Sequence, residues 1–231
     1  MSDGLRAAAA GMTAQQSWLD SLSNDVSNVN TPGYHKLRVG FRELVDGAGA
    51  AQVDLGRSSQ GGTIEDTGQP LDVAIQGNGF LPVKRGDGTT ALVRGGALQL
   101  DAQGRLVTSE GFQMVPPIKV AKNVTADQVK IDPNGTVSVA GKQIGKLGLV
   151  DVPNPDQLLS VGDGAFVATQ GSGAAAPVTG SSIQQRALET SDVDLGETMV
   201  SMIQAERAYD LSSRALKMQD DLRGIANDIR H

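Results

Sequence analysis

The two ends of the chain share one spacing of mainly apolar side chains. At the N-terminal end, alternating steps of three and four residues join Leu5, Ala8, Met12, Gln15, Leu19, Leu22, Val26 and Val29. At the C-terminal end, the same steps join Ala208, Leu211, Ala215, Met218, Leu222, Ile225 and Ile229. Such a narrow strip is typical of the a and d positions of a coiled coil. The pattern predicts one helix over residues 3–29 and another from about residue 195 to 229.

Polar residues predict where these helices end and begin. Ser and Asn residues crowd the end of the first helix, and Pro32 and Gly33 then favour a turn. Asn24 and Asn28 lie one turn apart, so they either cap the helix end or hydrogen-bond to neighbouring backbones in a packed assembly. We predict Asp192 or Asp194 as the N-cap of the second helix.

The middle of the chain has the pattern of short strands. Apolar and other residues alternate over 71–76, and turn signals such as Gly77-Asn78-Gly79 recur at short intervals up to residue 168. Strands are predicted over 71–76, 80–83, 89–93, 98–100, 106–108, 129–131 and 137–139. Short strands between regular turns indicate an antiparallel sheet or barrel.

Two glycine-rich stretches flank this β region. Residues 36–70 predict an extended arm that lies on a neighbour, because a structureless stretch of this length is unusual inside a compact domain. Residues 169–182 predict a flexible connection. The expected organisation is therefore an α+β protein. Residues 1–35 form the N-terminal helix, 36–70 the arm, 71–182 a central β domain, and 183–231 the C-terminal helix that completes a coiled-coil core.

Composition and charge narrow the possible functions. The chain is 39% apolar and only 3% aromatic, which suits an elongated or modular protein with thin cores. The net charge of −6 divides into −2 over residues 1–35, zero over 36–188 and −4 over 189–231. Because there is no basic stripe, the charge argues against nucleic acid and against an anionic membrane surface as partners.

Candidate chemistry is sparse. There is no cysteine, and neither His35 nor His231 has an evident partner nearby in the sequence. The Gly77-Asn78-Gly79 turn joins two strands and does not open a helix, so it does not indicate a dinucleotide site. We expect no catalytic, cofactor or metal site and no enzymatic activity. An N-terminal apolar run typical of a cleaved signal peptide is also not apparent.

Three blocks resemble the flagellar rod, hook and hook-associated family. The first comprises GMTAQQ at residues 11–16 and SNDVSNVNTPGY at 23–34. The second is QPLDVAIQGNGF at 69–80, with RGG at 94–96 and GRLVT at 104–108. The third runs from SDVDL at 191–195 to AERAY at 205–209. The blocks occur in the order that the family shows.

This resemblance implies a structural subunit of the bacterial flagellar basal-body rod, either distal-rod-like or its proximal-rod relative. In that family, the terminal helices pair as a coiled coil and pack with other subunits into a tube. The implied partners are further copies, neighbouring rod and hook proteins and the flagellar type III export apparatus. The implied location is the periplasm-spanning rod, reached without a cleaved signal peptide.

Two other functional classes are also compatible with the sequence. A soluble coiled-coil adaptor or assembly chaperone with a β domain would form a discrete oligomer, and a β-domain enzyme would need a site that the sequence does not display. For the rod subunit, the residues predicted to contact other subunits lie on both terminal helices. They are Leu5, Met12, Leu19, Leu22, Asn24, Val26, Asn28, Met199, Ile203, Tyr209, Leu211, Met218, Leu222 and Ile225.

Overall fold

The computed structural model describes residues 2–43, 50–58 and 61–228 of the chain. The chain divides into two compact units. Unit 1 comprises Met1–Val29, Leu37–Gly56 and Val193–His231, and unit 2 comprises Asn30–Lys36 and Arg57–Asp192. The chain therefore passes from one unit to the other at residues 29–30, 36–37, 56–57 and 192–193.

Unit 1 contains the two terminal helices. Helix α1 is Ser2–Ser27, helix α2 is Leu195–Asp228, and strands β1 (Leu37–Glu43) and β2 (Ala50–Arg57) pair with each other. The helices contact each other, and α1 also contacts β1. Neither α1 nor α2 is long and apolar enough to cross a membrane. The prediction of a helix at each end of an α+β chain is confirmed.

The helix ends follow the polar residues that predicted them. Asp194 is the N-cap of α2, since its Oδ1 accepts the backbone N–H of Glu197 at 3.0 Å. Asp192 has a different role: its Oδ1 accepts the backbone N–H of Lys36 at 2.6 Å. At the end of α1, Asn28 Nδ2 donates to the carbonyl of Asn24 at 2.8 Å. That bond satisfies one of the carbonyls that a helix end leaves without a partner.

Unit 2 is built from short antiparallel strands. They are β3 (Ile64–Asp66), β4 (Asp72–Gln76), β5 (Leu81–Lys84), β6 (Thr90–Val93), β7 (Gly95–Leu100), β8 (Leu106–Thr108), β9 (Gln113–Met114), β10 (Val129–Ile131), β11 (Thr136–Val139), β12 (Lys142–Lys146), β13 (Val150–Asp151), β14 (Leu159–Ser160), β15 (Ala165–Val167), β16 (Ala176–Pro177), β17 (Ser182–Gln185) and β18 (Ala187–Glu189). Nine of them form one sheet in the order β14-β15-β6-β5-β9-β8-β7-β4-β17. Strands β10, β11 and β12 form a second sheet, and the pairs β13–β16 and β18–β3 complete the unit.

Two apolar clusters lie inside unit 2. The larger includes Val73, Leu81 and Val137, each fully buried. The smaller consists of Leu92, Val152, Leu158 and Phe166. Strand β4 is buried along most of its length, including Asp72, and this departs from the alternation that its sequence predicts. Burial of Asp72 is tolerated because the hydroxyl of Thr67 donates to its Oδ2 at 2.6 Å.

The two glycine-rich stretches contain more structure than the sequence indicates. The range 36–70 holds β1 and β2, and it also holds β3, which pairs with β18. The prediction that residues 169–182 form a flexible connection is wrong. Ser172 is fully buried, and its hydroxyl donates to the carbonyl of Thr169 at 3.1 Å. Strand β16 follows and pairs with β13. Ile229, predicted to end the C-terminal apolar strip, lies outside the described residues.

Candidate functional site around Glu189

The carboxylate of Glu189, the last residue of β18, lies at the centre of a buried charged cluster in unit 2. Its side chain is only 4% exposed. Oε2 accepts a hydrogen bond from Arg94 Nε at 3.1 Å, and Oε1 lies 3.2 Å from His35 Nε2. A buried carboxylate is tolerated only when it is paired in this way.

Arg94 connects Glu189 to the turn between β4 and β5. Its Nη1 donates to the carbonyl of Gly79 at 2.7 Å, and its Nη2 donates to the carbonyl of Gly77 at 2.6 Å. Both glycines have positive φ, 97° at Gly77 and 120° at Gly79, which a side chain would disfavour. The planar guanidinium thus donates from three separate nitrogens to one carboxylate and two carbonyls, whereas an ammonium group would have to reach all three acceptors from a single nitrogen.

His35 lies between two acceptors. Its Nδ1 is 2.7 Å from the carbonyl of Ser58, so Nδ1 carries a proton, and its Nε2 faces Glu189. Burial alone lowers the pKa of His35. The hydrogen bonds to Glu189 and Ser58 and the nearby charges of Glu189 and Asp192 outweigh burial and raise the pKa above 6.5. The cluster therefore favours the imidazolium form, which donates from both nitrogens.

Backbone hydrogen bonds also join three segments of unit 2 beside the Glu189 cluster. Gly33 N–H donates to the carbonyl of Glu189 at 2.8 Å, and Asp192 N–H donates to the carbonyl of Tyr34 at 3.1 Å. Ser58 N–H donates to the carbonyl of Lys36 at 2.9 Å. Residues 33–36, Ser58 and residues 189–192 are thus held together beside three of the positions where the chain passes between the units.

Glycine is required where residues 61–62 approach β18. A Cβ on Gly61 would lie 2.1 Å from Oε1 of Glu189, and a Cβ on Gly62 would lie 1.9 Å from the carbonyl oxygen of Thr190. Neither distance leaves room for a methyl group. These glycines allow the backbone to reach the cluster.

A cavity of about 200 Å³ adjoins the cluster. His35 and Arg94 line one side, and Phe80 and Phe166 pack edge-to-face with ring centroids 6.1 Å apart. The walls also include Asp151, Val152, Pro153, Asp156 and Leu158. Both cations on its wall are already directed at Glu189. Among the described residues, no group of three or more His, Asp or Glu side chains is placed to hold a metal ion.

The predicted contact residues on α2 are largely exposed. Met199, Ile203, Leu211, Met218, Leu222 and Ile225 are between 48% and 67% exposed, whereas Tyr209 is half-buried. Large apolar side chains along one helix are therefore accessible to other molecules.

The predicted contact residues on α1 are placed differently. Leu22 is buried, Met12, Leu19, Val26 and Asn28 are half-buried, and Asn24 is exposed. The side chain of Leu5 lies outside the described ones. Their role in contacts between subunits stays a prediction.

Sequence reasoning missed the cluster, although it noted His35 and the Arg94-Gly95-Gly96 motif. The partner of His35 is 154 positions away, so no local spacing could identify it. One feature of the sequence could have indicated the cluster. His35, Arg94 and Glu189 each lie in or beside one of the three blocks that resemble the family.

Comparison with protein families matches three parts of the chain. A model described as flagella basal body rod protein covers residues 5–35, and one described as the flagellar hook protein FlgE/F/G D1 domain covers 74–139. A third, described as flagellar basal body rod FlgEFG protein C-terminal, covers residues 184–229. His35, Arg94 and Glu189 each fall in a different one of these ranges.

Full-length relatives agree with these matches. A flagellar basal-body rod protein FlgG from Borreliella burgdorferi is 34% identical, over 100% of this chain and 99% of the relative. FlgG from Caulobacter vibrioides is 30% identical over 98% of both. FlgG from Bacillus subtilis is 32% identical over 92% of this chain and 93% of the relative.

Proposed function

Because the chain belongs to the family of flagellar basal-body rod proteins, we propose that it polymerises through α1 and α2 into an axial tube that transmits torque. The protein is a structural subunit of the basal-body rod and is located in the flagellum.

The observation that carries the proposal is the apolar surface of α2. Leu211 is 67% exposed, Met218 65% and Leu222 59%. Burial of apolar surface is favourable by about 25 cal/mol per Å², so neighbouring subunits that cover these side chains would stabilise the assembly. Heterologous contacts of this kind, related by a screw operation, produce an open helical polymer.

We propose that α1 and α2 pair as a coiled coil within each subunit. The contacts between the two helices and the regular apolar spacing of α1 support this pairing. Leu211, Met218, Leu222 and Ile225 of the C-terminal strip nevertheless stay more than half exposed, so the helix face that carries them is still accessible. That face would pack against other subunits in the tube wall.

The Glu189 cluster is proposed to hold the connecting segments of the chain under load. Force applied to the helices reaches unit 2 through the covalent chain at residues 29–30, 36–37, 56–57 and 192–193. The hydrogen bonds of His35, Arg94 and Glu189 resist separation of these segments. A buried network of charge-assisted hydrogen bonds is suited to this role, because breaking any member leaves an uncompensated buried charge.

The remaining parts of the proposal follow from the family. The protein would contact neighbouring rod and hook proteins in the periplasm-spanning rod, and it would reach them through the flagellar type III export apparatus without a cleaved signal peptide. We propose no enzymatic activity, cofactor, membrane insertion or nucleic-acid partner. The net charge of −6 supports the last of these.

The decisive experiment is electron microscopy of basal bodies from a strain that lacks this protein. We expect the axial structure to stop short, and reintroduction of the parental gene to restore it. Light scattering of the purified full-length chain addresses the alternative of an adaptor or chaperone. A discrete dimer or trimer, together with intact rods in the deletion strain, would replace the proposal by that alternative.

A further inference from the structure

Unit 2 carries a concentration of lysines on and beside its smaller sheet. Lys130 lies on β10, and Lys142 and Lys146 lie on β12, while Lys119 and Lys122 belong to the preceding loop; all five are exposed. Only Asp127 and Asp132 occur with them between residues 118 and 148. We call these five side chains the lysine face.

A second region of unit 2 carries the opposite charge. From residue 147 to residue 185 the chain contains Asp151, Asp156 and Asp163 and no Lys, Arg or His. Asp151 ends β13, Asp156 lies in the 3₁₀ turn Pro155–Gln157, and Asp163 lies in the hairpin between β14 and β15. We call this region the acidic edge.

The lysine face and the acidic edge adjoin different strands of unit 2. Strand β10 is attached to β17, one end of the nine-stranded sheet, because Gln185 accepts from Ile131 N–H at 2.9 Å and donates to the carbonyl of Val129 at 2.9 Å. Strand β14 is the other end of that sheet. The residues beside the acidic edge also pack in their own small apolar cluster. Asp163, in the hairpin of β14 and β15, lies at the β14 end, whereas Asp151 lies on β13, which pairs with β16 and adjoins Phe80. The two charged regions are therefore formed by different strands of one unit.

The acidic edge also has a recess. Asp151 and Asp156 line the cavity of about 200 Å³ whose walls include Phe80, Leu158 and Phe166. An apolar and aromatic wall next to carboxylates suits the long alkyl stem and terminal ammonium of a lysine. His35 and Arg94 at the far side are directed at the carboxylate of Glu189.

We propose that the lysine face of one copy docks on the acidic edge of a neighbouring copy, with a lysine side chain entering this recess. The inference rests on the proposed polymerisation and adds a second contact, made by unit 2. Two complementary surfaces made by different strands of one unit form a heterologous interface, which is the kind that extends an open polymer. Charge complementarity also fixes the register of such contacts.

Charge reversal in the full-length protein tests the contact. Lys142→Glu with Lys146→Glu would place carboxylates opposite the acidic edge, and Asp151→Lys with Asp156→Lys would place ammonium groups opposite the lysine face. We expect each pair to lower the number of copies per purified basal body about tenfold. The chain that carries all four substitutions regains complementarity and should recover to within about twofold of the parent. Lys84→Glu, an exposed charge of the same unit, is the control and should assemble like the parent.

The same experiment distinguishes an incorrect contact between copies of unit 2 from an incorrect proposed function. If the parent assembles and the fourfold variant is no better than either pair, the contact is wrong and polymerisation through the helices stands. If the parent itself adds nothing to the axial structure, both fall.

Crosslinking tests the contact without reversing the sign of any charge. Because the chain has no cysteine, a tagged Lys146→Cys copy and an untagged Asp156→Cys copy can be joined only at those positions. A short bismaleimide should yield the mixed dimer in rods from a strain that expresses both. A strain with Lys84→Cys in place of Lys146→Cys should yield none, and equal yields from the two strains would overturn the contact.

Discussion

His35 Nε2 lies 3.2 Å from Oε1 of Glu189, although 154 positions of the chain separate the two residues. The pair links a residue just before β1 with a residue just before α2. Arg94, from the middle of the chain, completes the pairing at Oε2. Three distant parts of the sequence therefore meet at one buried carboxylate.

Loss of the carboxylate charge should destabilise unit 2. Glu189→Gln keeps the shape of the side chain but removes the carboxylate charge that pairs with Arg94 and His35, each 13% exposed. We expect the free energy of unfolding to fall by about 3 kcal/mol. Urea denaturation, followed by hydrogen exchange of peptides from residues 71–167, measures the free energy of unfolding of unit 2. Glu110→Gln, at an exposed carboxylate, should change it by less than about 0.5 kcal/mol. Equal effects of the two substitutions would contradict a special role for Glu189.

The stability of unit 2 should also depend on pH through His35. Because the folded protein raises the pKa of this residue, it binds the proton more tightly than the unfolded chain does. The resulting stabilisation is complete below the unfolded value of 6.5 and is lost as the pH rises through the higher folded value. The nearby charges of Glu189 and Asp192 favour the protonated ring.

The His35→Gln variant isolates that dependence. We expect the difference in the free energy of unfolding between parent and variant to decrease as the pH rises from about 6 to 9, because only the parent gains from protonation. Denaturant titrations at several pH values provide the curve. A difference that grows with pH would reverse the sign of the linkage and refute the assignment.

Gly61 should not tolerate a methyl group. The Cβ of Gly61→Ala would lie 2.1 Å from Oε1 of Glu189, so the carboxylate would have to leave its place between His35 and Arg94. We expect a loss of about 2 kcal/mol in the free energy of unfolding. Gly148→Ala is the matched control, since a Cβ at that position would have no atom within 4 Å and the φ of Gly148 is not positive. That substitution should be neutral or stabilising by about 0.5 kcal/mol.

The sequence predicted the helices and strands well because the residues that determine them lie close together in the chain. Apolar spacing located α1 and α2, and Asp194 marked the start of α2 three residues ahead of the N–H that it accepts. Turn residues located β4 to β8 for the same reason. Each of these signals acts within a few positions of the chain.

The candidate site escaped prediction because its causes are not local. Nothing near His35 indicates that its ring will face Glu189. The stretch around Ser172 was also misjudged, since its small residues suggested flexibility. There, a buried hydroxyl and the pairing of β13 with β16 supply order that composition does not reveal.

The terminal helices should be only partly ordered in a dilute monomer. Several large apolar residues of α2 are exposed, including Met218 and Ile225 at 65% and 57%, so tertiary packing contributes little to this helix. We expect circular dichroism of the full-length monomer to show less helix than α1 and α2 together would give, with a gain on assembly. Complete helicity that persists on dilution would contradict coupled folding and assembly.

Substitutions on the two helices should separate folding from assembly. Leu22 is 9% exposed, so Leu22→Asp places a charge in a buried position of unit 1 and should lower the helix content of the monomer as well as prevent rod formation. Leu222 is 59% exposed, so Leu222→Asp should leave the stability of the monomer within about 0.5 kcal/mol of the parent and still prevent rod formation. Gln219→Asp, at an exposed polar position of the same helix, controls for the added charge and should assemble. Circular dichroism during thermal unfolding of the purified chains and electron microscopy of basal bodies measure the two effects. Normal rods formed by the Leu222→Asp chain would exclude this face of α2 from the subunit interface.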